Sequence, residues 1–250
     1  MILLNKPKYL TSLETIKKFQ KQNPKYSNIK LGYVGTLDPM ATGLLLVLEG
    51  IENKNRNEYI GLNKTYEFEI LFGISTDSYD LLGLITHINN NYESTITNLD
   101  VSKFVGSYNQ KFPPFSAKIK HGKRLYNLAR KTLINENDLP EYKRKIISMK
   151  LIGSKTISKA KLLNDVKKTT QKVAGDFRQN KIYKNWKEQN AKMRENYNLL
   201  KIETEVSSGT YVRRLCVDIA KKYNQVAIAY SINRLKIGNY HVKDSIQISE

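Results

Sequence analysis

The sequence predicts an α+β domain built on a mixed, largely antiparallel sheet. Three observations carry this. Tyr66, Phe68, Ile70 and Phe72 alternate with Thr65, Glu67, Glu69 and Leu71, the period of a half-buried strand. Leu200, Ile202, Thr204 and Val206 repeat that period. Strand and helix patterns then follow one another irregularly, without repeated strand–helix–strand units, which disfavours a parallel sheet.

Taken in order, Ile2-Leu3-Leu4 opens the chain as a strand. Thr11 and Glu14 have the spacing of a capping box for a helix carrying Leu13, Ile16 and Phe19, and residues 20–30 read as polar loop. Gly35 and Gly43 bracket a tight loop that presents Asp38 at the lip of a sheet, and Leu44 to Leu48 follows as a buried strand. Taken alone, Asp38-Pro39 is an ordinary turn dipeptide. Gly73 closes the strand at Phe72, Thr76 to Gly83 is a loop, and Leu84 to Thr86 is a short strand. Asp100 to Tyr108 reads as a short helix, and Ile146 to Ile152 as a strand. The strand ending at Val206 runs into a Ser207-Ser208-Gly209 turn, after which a helix begins that carries Arg213.

Composition narrows the function. The chain has 250 residues, 40% of them hydrophobic, enough for one large domain or two small ones. A net charge of +19 and a pI near 9.7 point to a polyanion as partner, nucleic acid ahead of membrane. Sixteen tyrosines beside 42 Lys and Arg supply ring faces and cations, a pairing that suits RNA better than DNA. Cys216 is the only cysteine, which excludes an intramolecular disulfide and a thiolate metal cluster; within Val212, Leu215, Ile219 and Tyr223 it reads as a small buried apolar group. His87, His121 and His241 are far apart and lack ligand spacing, so no metal is required. No apolar stretch is long enough to span a bilayer and no signal peptide is evident, so a cytoplasmic location is expected.

The segment Gly35-Thr36-Leu37-Asp38-Pro39-Met40-Ala41-Thr42-Gly43-Leu44-Leu45 closely resembles the catalytic motif of the TruB family of tRNA pseudouridine synthases. Further segments resemble the same family in the same order: Asn5-Lys6-Pro7, Lys64-Thr65-Tyr66, Pro113 to Ala117 with Gly122 to Tyr126, Ser208 to Arg213, and Arg234 to Gly238. The resemblance implies the pseudouridine synthase fold, with helices and loops around a central cleft, in a single catalytic domain over residues 1–250. It implies conversion of one uridine in the T-arm of tRNA, position 55 by family convention, to pseudouridine. Asp38 stands where the family has its nucleophile, Tyr66 where it has its active-site tyrosine, and Arg213 where it has the arginine that keeps the acid ionised; Arg214 beside it reads as a surface residue. Lys64, Lys118, Lys120, Lys123 and Arg124 fall in segments matching RNA-gripping regions. Tyr33 replaces the usual histidine of a Gly-His pair, where it would wedge by stacking. The glycine expected after Asn5-Lys6-Pro7 is replaced within Lys8-Tyr9-Leu10, and a lysine expected after Ala117 is Ile119.

The chemistry explains why so few groups suffice. Isomerisation breaks the bond from ribose C1′ to base N1 and rejoins the sugar to C5. The C5–C6 double bond of uracil is itself the electrophile, so neither cofactor nor metal is expected. A carboxylate adds at C6 or captures C1′, holding the base in the site while it turns over. Tyr66 offers a ring to stack on the base and a phenol to assist removal of the C5 proton. The nucleotide must first be flipped out of the RNA arm. The expected partner is tRNA, bound by a monomer with no membrane and no metal. The alternative is a tRNA-binding folding helper whose catalysis is lost or incidental.

One stretch departs from the family outline. Residues 155–197 hold twelve Lys or Arg against four Asp or Glu, in a mostly helical pattern with Leu162, Leu163, Val166 and Val173, then Phe177, Tyr183 and Trp186, as packing positions. They read as an inserted basic helical hairpin that either adds phosphate contacts to the RNA or is a solvated excursion that does not bind it. About a dozen residues follow Gly238, so the small C-terminal RNA-binding domain of many bacterial relatives is not expected here.

Overall fold

The computed structural model describes residues 1–90, 99–120, 122–132 and 134–248. His121, weighed above as a metal ligand, lies outside them. In chain order the elements are β1 (Ile2–Lys6), α1 (Ser12–Gln22), β2 (Leu31–Val34), β3 (Thr42–Glu49), α2 (Arg56–Ile60), β4 (Lys64–Phe72), β5 (Ile74–Thr76), β6 (Ile85–Ile88) and β7 (Gly106–Lys111). There follow β8 (Ile119–Lys120), β9 (Lys123–Arg124), α3 (Leu125–Ala129), β10 (Glu141–Ser158), α4 (Lys159–Lys172), α5 (Gln179–Glu188) and β11 (Asn196–Val206). The chain closes with α6 (Val212–Lys222), β12 (Ala227–Ile237), β13 (Tyr240–His241) and β14 (Ile246–Gln247).

The main sheet runs in the order β14-β1-β3-β12-β4-β11-β10-β7, with β2 paired to β3 and β13 to β12. Among its described strands only β1–β14 and β3–β12 pair in parallel, so the sheet is mixed and largely antiparallel. The alternation in β4 does what its period requires. Tyr66, Phe68, Ile70 and Phe72 point to one face, where Leu215, Cys216, Ile219 and Ala220 of α6 cover them together with Leu200 and Ile202 of β11. On the opposite face, Glu67 and Glu69 pair with Lys201 and Lys155, while Leu71, Leu199 and Ile228 at one end are apolar and need a cover. Helix α1 begins on the expected capping box: Glu14 N–H donates to Thr11 Oγ1 at 3.1 Å, and Thr11 N–H to Glu14 Oε2 at 2.8 Å. Its Ile16 and Phe19 pack on β1 and β3, while Leu13 faces solvent.

The cover for that second face comes from α4 and α5. They form an antiparallel hairpin whose Leu162, Val166, Ile182 and Trp186 are fully buried against Leu71, Leu199 and Ile228. Val173 and Phe177, at the hairpin tip, join the core on the α6 side. The helices occupy 159–172 and 179–188 only; residues 155–158 and 196–197 are strand, extending β10 and β11. Strand β10 is correspondingly far longer than the Ile146–Ile152 segment. The short helix expected over Asp100 to Tyr108 is a single 3₁₀ turn (Val101–Phe104), and Gly106 then opens edge strand β7. Conversely, α1 continues into the polar stretch as far as Gln22. Among the described residues no helix is long and apolar enough to cross a membrane.

Because the hairpin roofs part of the core, truncating its central residue is expected to cost the whole domain. Trp186→Ala should lower stability by about 3–5 kcal/mol, the usual range for a buried Trp, read as a fall in the denaturant midpoint with both sheet and helix signals lost together. A loosely tethered excursion would instead lose helix signal alone.

Candidate active site

Asp38 lies in the loop 35–41 between β2 and β3, held on both flanks. At Gly43 the backbone has φ +105°, and an added Cβ would lie 2.4 Å from the Arg234 carbonyl oxygen. Parallel pairing of β3 with β12 at this point therefore requires glycine. Arg234, 1% exposed, donates through Nε to the Leu44 carbonyl at 2.8 Å and through Nη2 to the Gly35 carbonyl at 2.9 Å, bridging the loop's two ends. On the far side of Asp38, Pro39 O accepts from Tyr9 N–H at 2.8 Å and from Lys6 Nζ at 3.4 Å. Lys6 is fully buried and also donates to Pro7 O and Leu10 O at 2.9 and 2.6 Å; burial pushes its ammonium down to about 7. Leu37 N–H donates to Ser12 Oγ at 3.0 Å, which pins the remaining flank.

Against this fixed loop stands Arg213, in the first turn of α6. Its Nε donates to Asp38 Oδ2 at 2.7 Å and its Nη2 to Asp38 Oδ1 at 2.9 Å, a bidentate pair. Nη1 donates to the Ser78 carbonyl at 2.7 Å, and Nη2 also to the Phe115 carbonyl at 3.0 Å. The arginine side chain is 4% exposed and that of Asp38 34%, so the guanidinium is enclosed while the carboxylate opens outward. Burial alone would pull the guanidinium down, but the charges of Asp38 and Asp80 outweigh it and raise it above its ordinary value.

Asp80 is the second carboxylate of the site, and sequence reasoning missed it. Its Oδ2 lies 3.6 Å from Arg213 Nε, and its Oδ1 accepts from Ser78 Oγ at 2.5 Å and Leu82 N–H at 2.9 Å. Burial pushes the Asp80 carboxyl up to about 6; the Arg213 charge opposes that, and the Asp38 charge adds to it. The only signal in the chain is Thr76-Asp77-Ser78-Tyr79-Asp80 ahead of Leu81-Leu82, where nothing marks which aspartate turns inward. Tyr79 between them has φ +65°, a left-handed conformation that non-glycine residues adopt at a cost of about 1–3 kcal/mol.

Asp38 and Arg213 line a cavity of about 360 Å³ whose wall includes Tyr66, Lys64, Arg234 and Ser208. Tyr66, 8% exposed, projects from β4 beside Arg234, and so reaches the cavity on the same strand face that carries the core. A second cavity of about 330 Å³ adjoins it, sharing Asp38, Phe115 and Arg213 and extending to Phe177 and Arg178 at the hairpin tip. The arrangement can present an oriented carboxylate to a planar ligand resting against an aromatic ring. Among the described residues no group of three or more His, Cys, Asp or Glu is placed to hold a metal ion.

The residues expected to bind RNA are placed differently from one another. Lys64 lines the cavity but is only 5% exposed, donating to Ile60 O and Leu62 O at 2.7 and 2.5 Å and to Ser208 Oγ at 3.1 Å. It ties α2 to the turn before α6 instead of facing phosphate, and burial, then Arg234, pushes its ammonium down to about 8. Tyr33 packs beside Ile2, Leu4 and Phe19, outside the walls of both cavities. Lys123 and Arg124 are exposed on the β8–β9 ribbon, with Arg124 against Tyr126. Lys120 donates to Asp138 O, and Lys118 lies over the rings of Tyr142 and Phe112 at 4.8 and 5.4 Å. Arg214 is buried, against expectation: its Nε donates to Asp218 Oδ1 at 2.7 Å and it pairs with Glu136 at 2.5 Å. The segment at 136 closes over α6, and an arginine there is tolerated because two carboxylates meet it. Cys216 is buried in the same helix, as its apolar neighbours imply.

The architecture matches solved structures. A chain in the crystal structure of a Cbf5-Nop10-Gar1 complex aligns with TM-score 0.58 and 16% identity over 99% of this chain and 51% of its own length. A chain of an H/ACA RNP bound to a substrate RNA containing 2′-deoxyuridine aligns with TM-score 0.56 and 15% identity over 98% and 50%. This chain therefore spans about half the length of those chains, and the likeness is to the α+β pseudouridine synthase fold. Sequence narrows the class further. Residues 20–172 match the N-terminal domain of the TruB family of pseudouridylate synthases. The tRNA pseudouridine synthase B of Aquifex aeolicus is 31% identical over 254 residues, taking in all of this chain and 72% of the relative. The enzyme of the same name from Fusobacterium nucleatum is 32% identical over 245 residues, 97% of this chain and 69% of the relative. The chain belongs to the TruB family of pseudouridylate synthases.

Burial of Asp80 sets a pH dependence whose sign can be worked out. Asp80 is raised from its unfolded value near 3.8 to about 6 on folding, so the folded state binds the proton more tightly. Stability linked to this group is therefore full below pH 3.8 and falls as pH rises through about 6. Asp80→Asn should flatten the wild-type decline between pH 4 and 6, measured by denaturant melts at several pH values. Equal slopes for the two proteins would show that Asp80 titrates normally.

Proposed function

We propose that this protein converts a uridine of tRNA to pseudouridine, and that the uridine is the one at position 55 of the T-arm. The observation that carries the reading is the bidentate Arg213–Asp38 pair, with the arginine enclosed and the carboxylate open to a cavity walled by Tyr66. The names of the relatives support tRNA as the substrate, and the charge of +19 supports a polyanionic partner.

In this reading the target nucleotide leaves the RNA arm and its base lies against Tyr66. Arg213 pairs with Asp38 and fixes both carboxylate oxygens, leaving their remaining lone pairs for attack at C6 of the base or C1′ of the ribose. The C1′–N1 bond breaks, the base rotates while held, and C1′ bonds to C5 as the bond to Asp38 is released. The C5 proton leaves to solvent with help from the Tyr66 phenol, and N1 takes up a proton from solvent. The covalent or ion-pair state keeps the detached base from escaping. Lys123 and Arg124 grip phosphates from the exposed ribbon, as do exposed lysines of the hairpin, which we read as an insertion into a single catalytic domain. The enzyme acts as a monomer in the cytoplasm.

Asp38→Asn is nearly isosteric and leaves a neutral amide facing Arg213. It should abolish pseudouridine formation, a loss on the order of 10⁴-fold or more out of the 10⁶-fold or greater acceleration typical of enzymes, while binding of tRNA persists in a filter or shift assay. Full activity in the variant, mapped at nucleotide resolution on unmodified tRNA, would remove Asp38 as nucleophile; pseudouridine at a site outside the T-arm would remove the position.

The hairpin's contribution to RNA binding is separable because several of its lysines lie outward, apart from its buried seam. Lys167, Lys168 and Lys181 are exposed, and replacing all three by Gln leaves the buried seam intact. The triple variant should bind tRNA more weakly at low salt and show a salt slope reduced by about 0.7–0.9 for each phosphate no longer neutralised. An unchanged slope would mean that this face does not meet the RNA.

A further inference from the structure

The hairpin's inward side bears on the chemistry by a route that needs no contact with RNA. Outside its ion pair with Asp38, Arg213 donates to the Ser78 carbonyl and has Asp80 at 3.6 Å. Both belong to the loop 77–84 between β5 and β6. Asp77 N–H reaches Leu84 O at 3.0 Å and Leu84 N–H returns to Asp77 Oδ1 at 2.9 Å, which closes the base of that loop, while Tyr79 within it holds an unfavourable φ. Three side chains of the hairpin supply further anchors. Arg178 grips Asp77 with Nη1 to Oδ2 at 2.7 Å and Nη2 to Oδ1 at 3.2 Å. Trp186 Nε1 donates to Gly83 O at 2.9 Å, and Asn185 Oδ1 accepts from Ile85 N–H at 2.7 Å.

Both ends of the loop are thus anchored to the hairpin, while its middle orients the arginine. The Arg178–Asp77 pair is well enclosed, with side chains 16% and 9% exposed, so it escapes the screening that makes surface pairs weak. Arg178 reaches it from a φ of +64° and lies 4.3 Å over the Phe115 ring. Phe115 is itself the residue whose carbonyl accepts from Arg213. One side chain of the hairpin therefore touches both segments that hold Arg213 from outside the ion pair.

We propose that Arg178 is a positioning residue for the isomerase: through Asp77 and Phe115 it fixes the Ser78 and Phe115 carbonyls, and through them the aim of Arg213 at Asp38. The hairpin is then part of the catalytic frame as well as a basic surface. The proposal rests on the functional reading above, and it predicts a loss of turnover with little change in affinity, because Arg178 lies outside the cavity that Tyr66 walls.

The test uses the full chain and unmodified tRNA. Arg178→Ala should lower kcat by up to about 100-fold, the scale of a misplacement near 1 Å, with KM within about threefold of wild type. Arg178→Lys should recover part of the loss, and the exchanged pair Asp77→Arg with Arg178→Asp more than either single change. A raised KM with unchanged kcat would overturn the proposal in favour of an RNA contact. Loss of activity only in proportion to the folded fraction would overturn it in favour of plain stability. Hydrogen exchange gives an arm independent of activity: amides of 77–84 and of the Asp38 loop should exchange faster in Arg178→Ala. No change there would sink the proposal even if wild type proved inactive on tRNA, an outcome that would separately defeat the functional reading.

Discussion

One enclosed guanidinium organises this molecule. Arg213 donates to a carboxylate in loop 35–41, to a carbonyl at 78 and to a carbonyl at 115, joining three segments far apart in sequence to the start of α6. A buried arginine without partners would cost several kcal/mol, so each segment is held in place by the others' need to satisfy it. The sheet makes the meeting possible. Lys64 at the start of β4 pairs with Val206 at the end of β11 and Ile237 at the end of β12, while Arg234 lies opposite Gly43 at the start of β3. β4, β11 and β12 turn their connections to one end, and β3, staggered against β12, begins opposite Arg234 beside Tyr66, so the Asp38 loop opens onto the same region.

The electrostatics of that end follow from two carboxylates sharing one cation. Asp80 is enclosed and raised to about 6 by burial; Asp38 is open to the cavity. The asymmetry divides their roles. The enclosed acid balances charge and orients the arginine, and the open acid is the one a ligand can meet. Any ligand that fills the cavity displaces water there, which lowers the local dielectric and strengthens the Asp38–Arg213 attraction.

Much of this was legible in the chain, for reasons that differ by residue. The alternation of β4 and β11 and the capping box at Thr11 are local, and local physics fixes them. The position of Asp38 in a loop ahead of a buried strand was legible from the flanking glycines, and only the resemblance to a family motif set it apart from an ordinary Asp-Pro turn. Asp80 was hidden because burial is decided by the hairpin and α6, which close around it from positions far along the chain. Lys6, Lys64 and Arg234 were legible as motif members and illegible as buried ties: a basic residue in a basic chain reads as a surface charge until the carbonyls around it are known. Arg214 failed in the same way. The short helix expected at Asp100 gave way to a 3₁₀ turn because Gly106, at φ +127°, lets the chain swing out to edge strand β7.

The two sides of the α4–α5 hairpin obey different physics, and that difference connects binding to chemistry. Its outer lysines are solvated, and whatever they contribute weakens as salt rises. Its inner residues, Leu162, Val166, Ile182 and Trp186, are fully buried, and their contribution is set by packing that salt leaves untouched. Arg178 belongs to the second group, though it carries the charge of the first, because Asp77 and the Phe115 ring enclose it. The tip is stitched onward as well: Ala174 N–H donates to Tyr9 O at 3.1 Å, and Tyr9 N–H donates to Pro39 O, one residue from Asp38. The segment that stood out in the sequence for its charge is therefore held to the Asp38 loop by neutral backbone hydrogen bonds, which salt screens far less than it screens exposed charges.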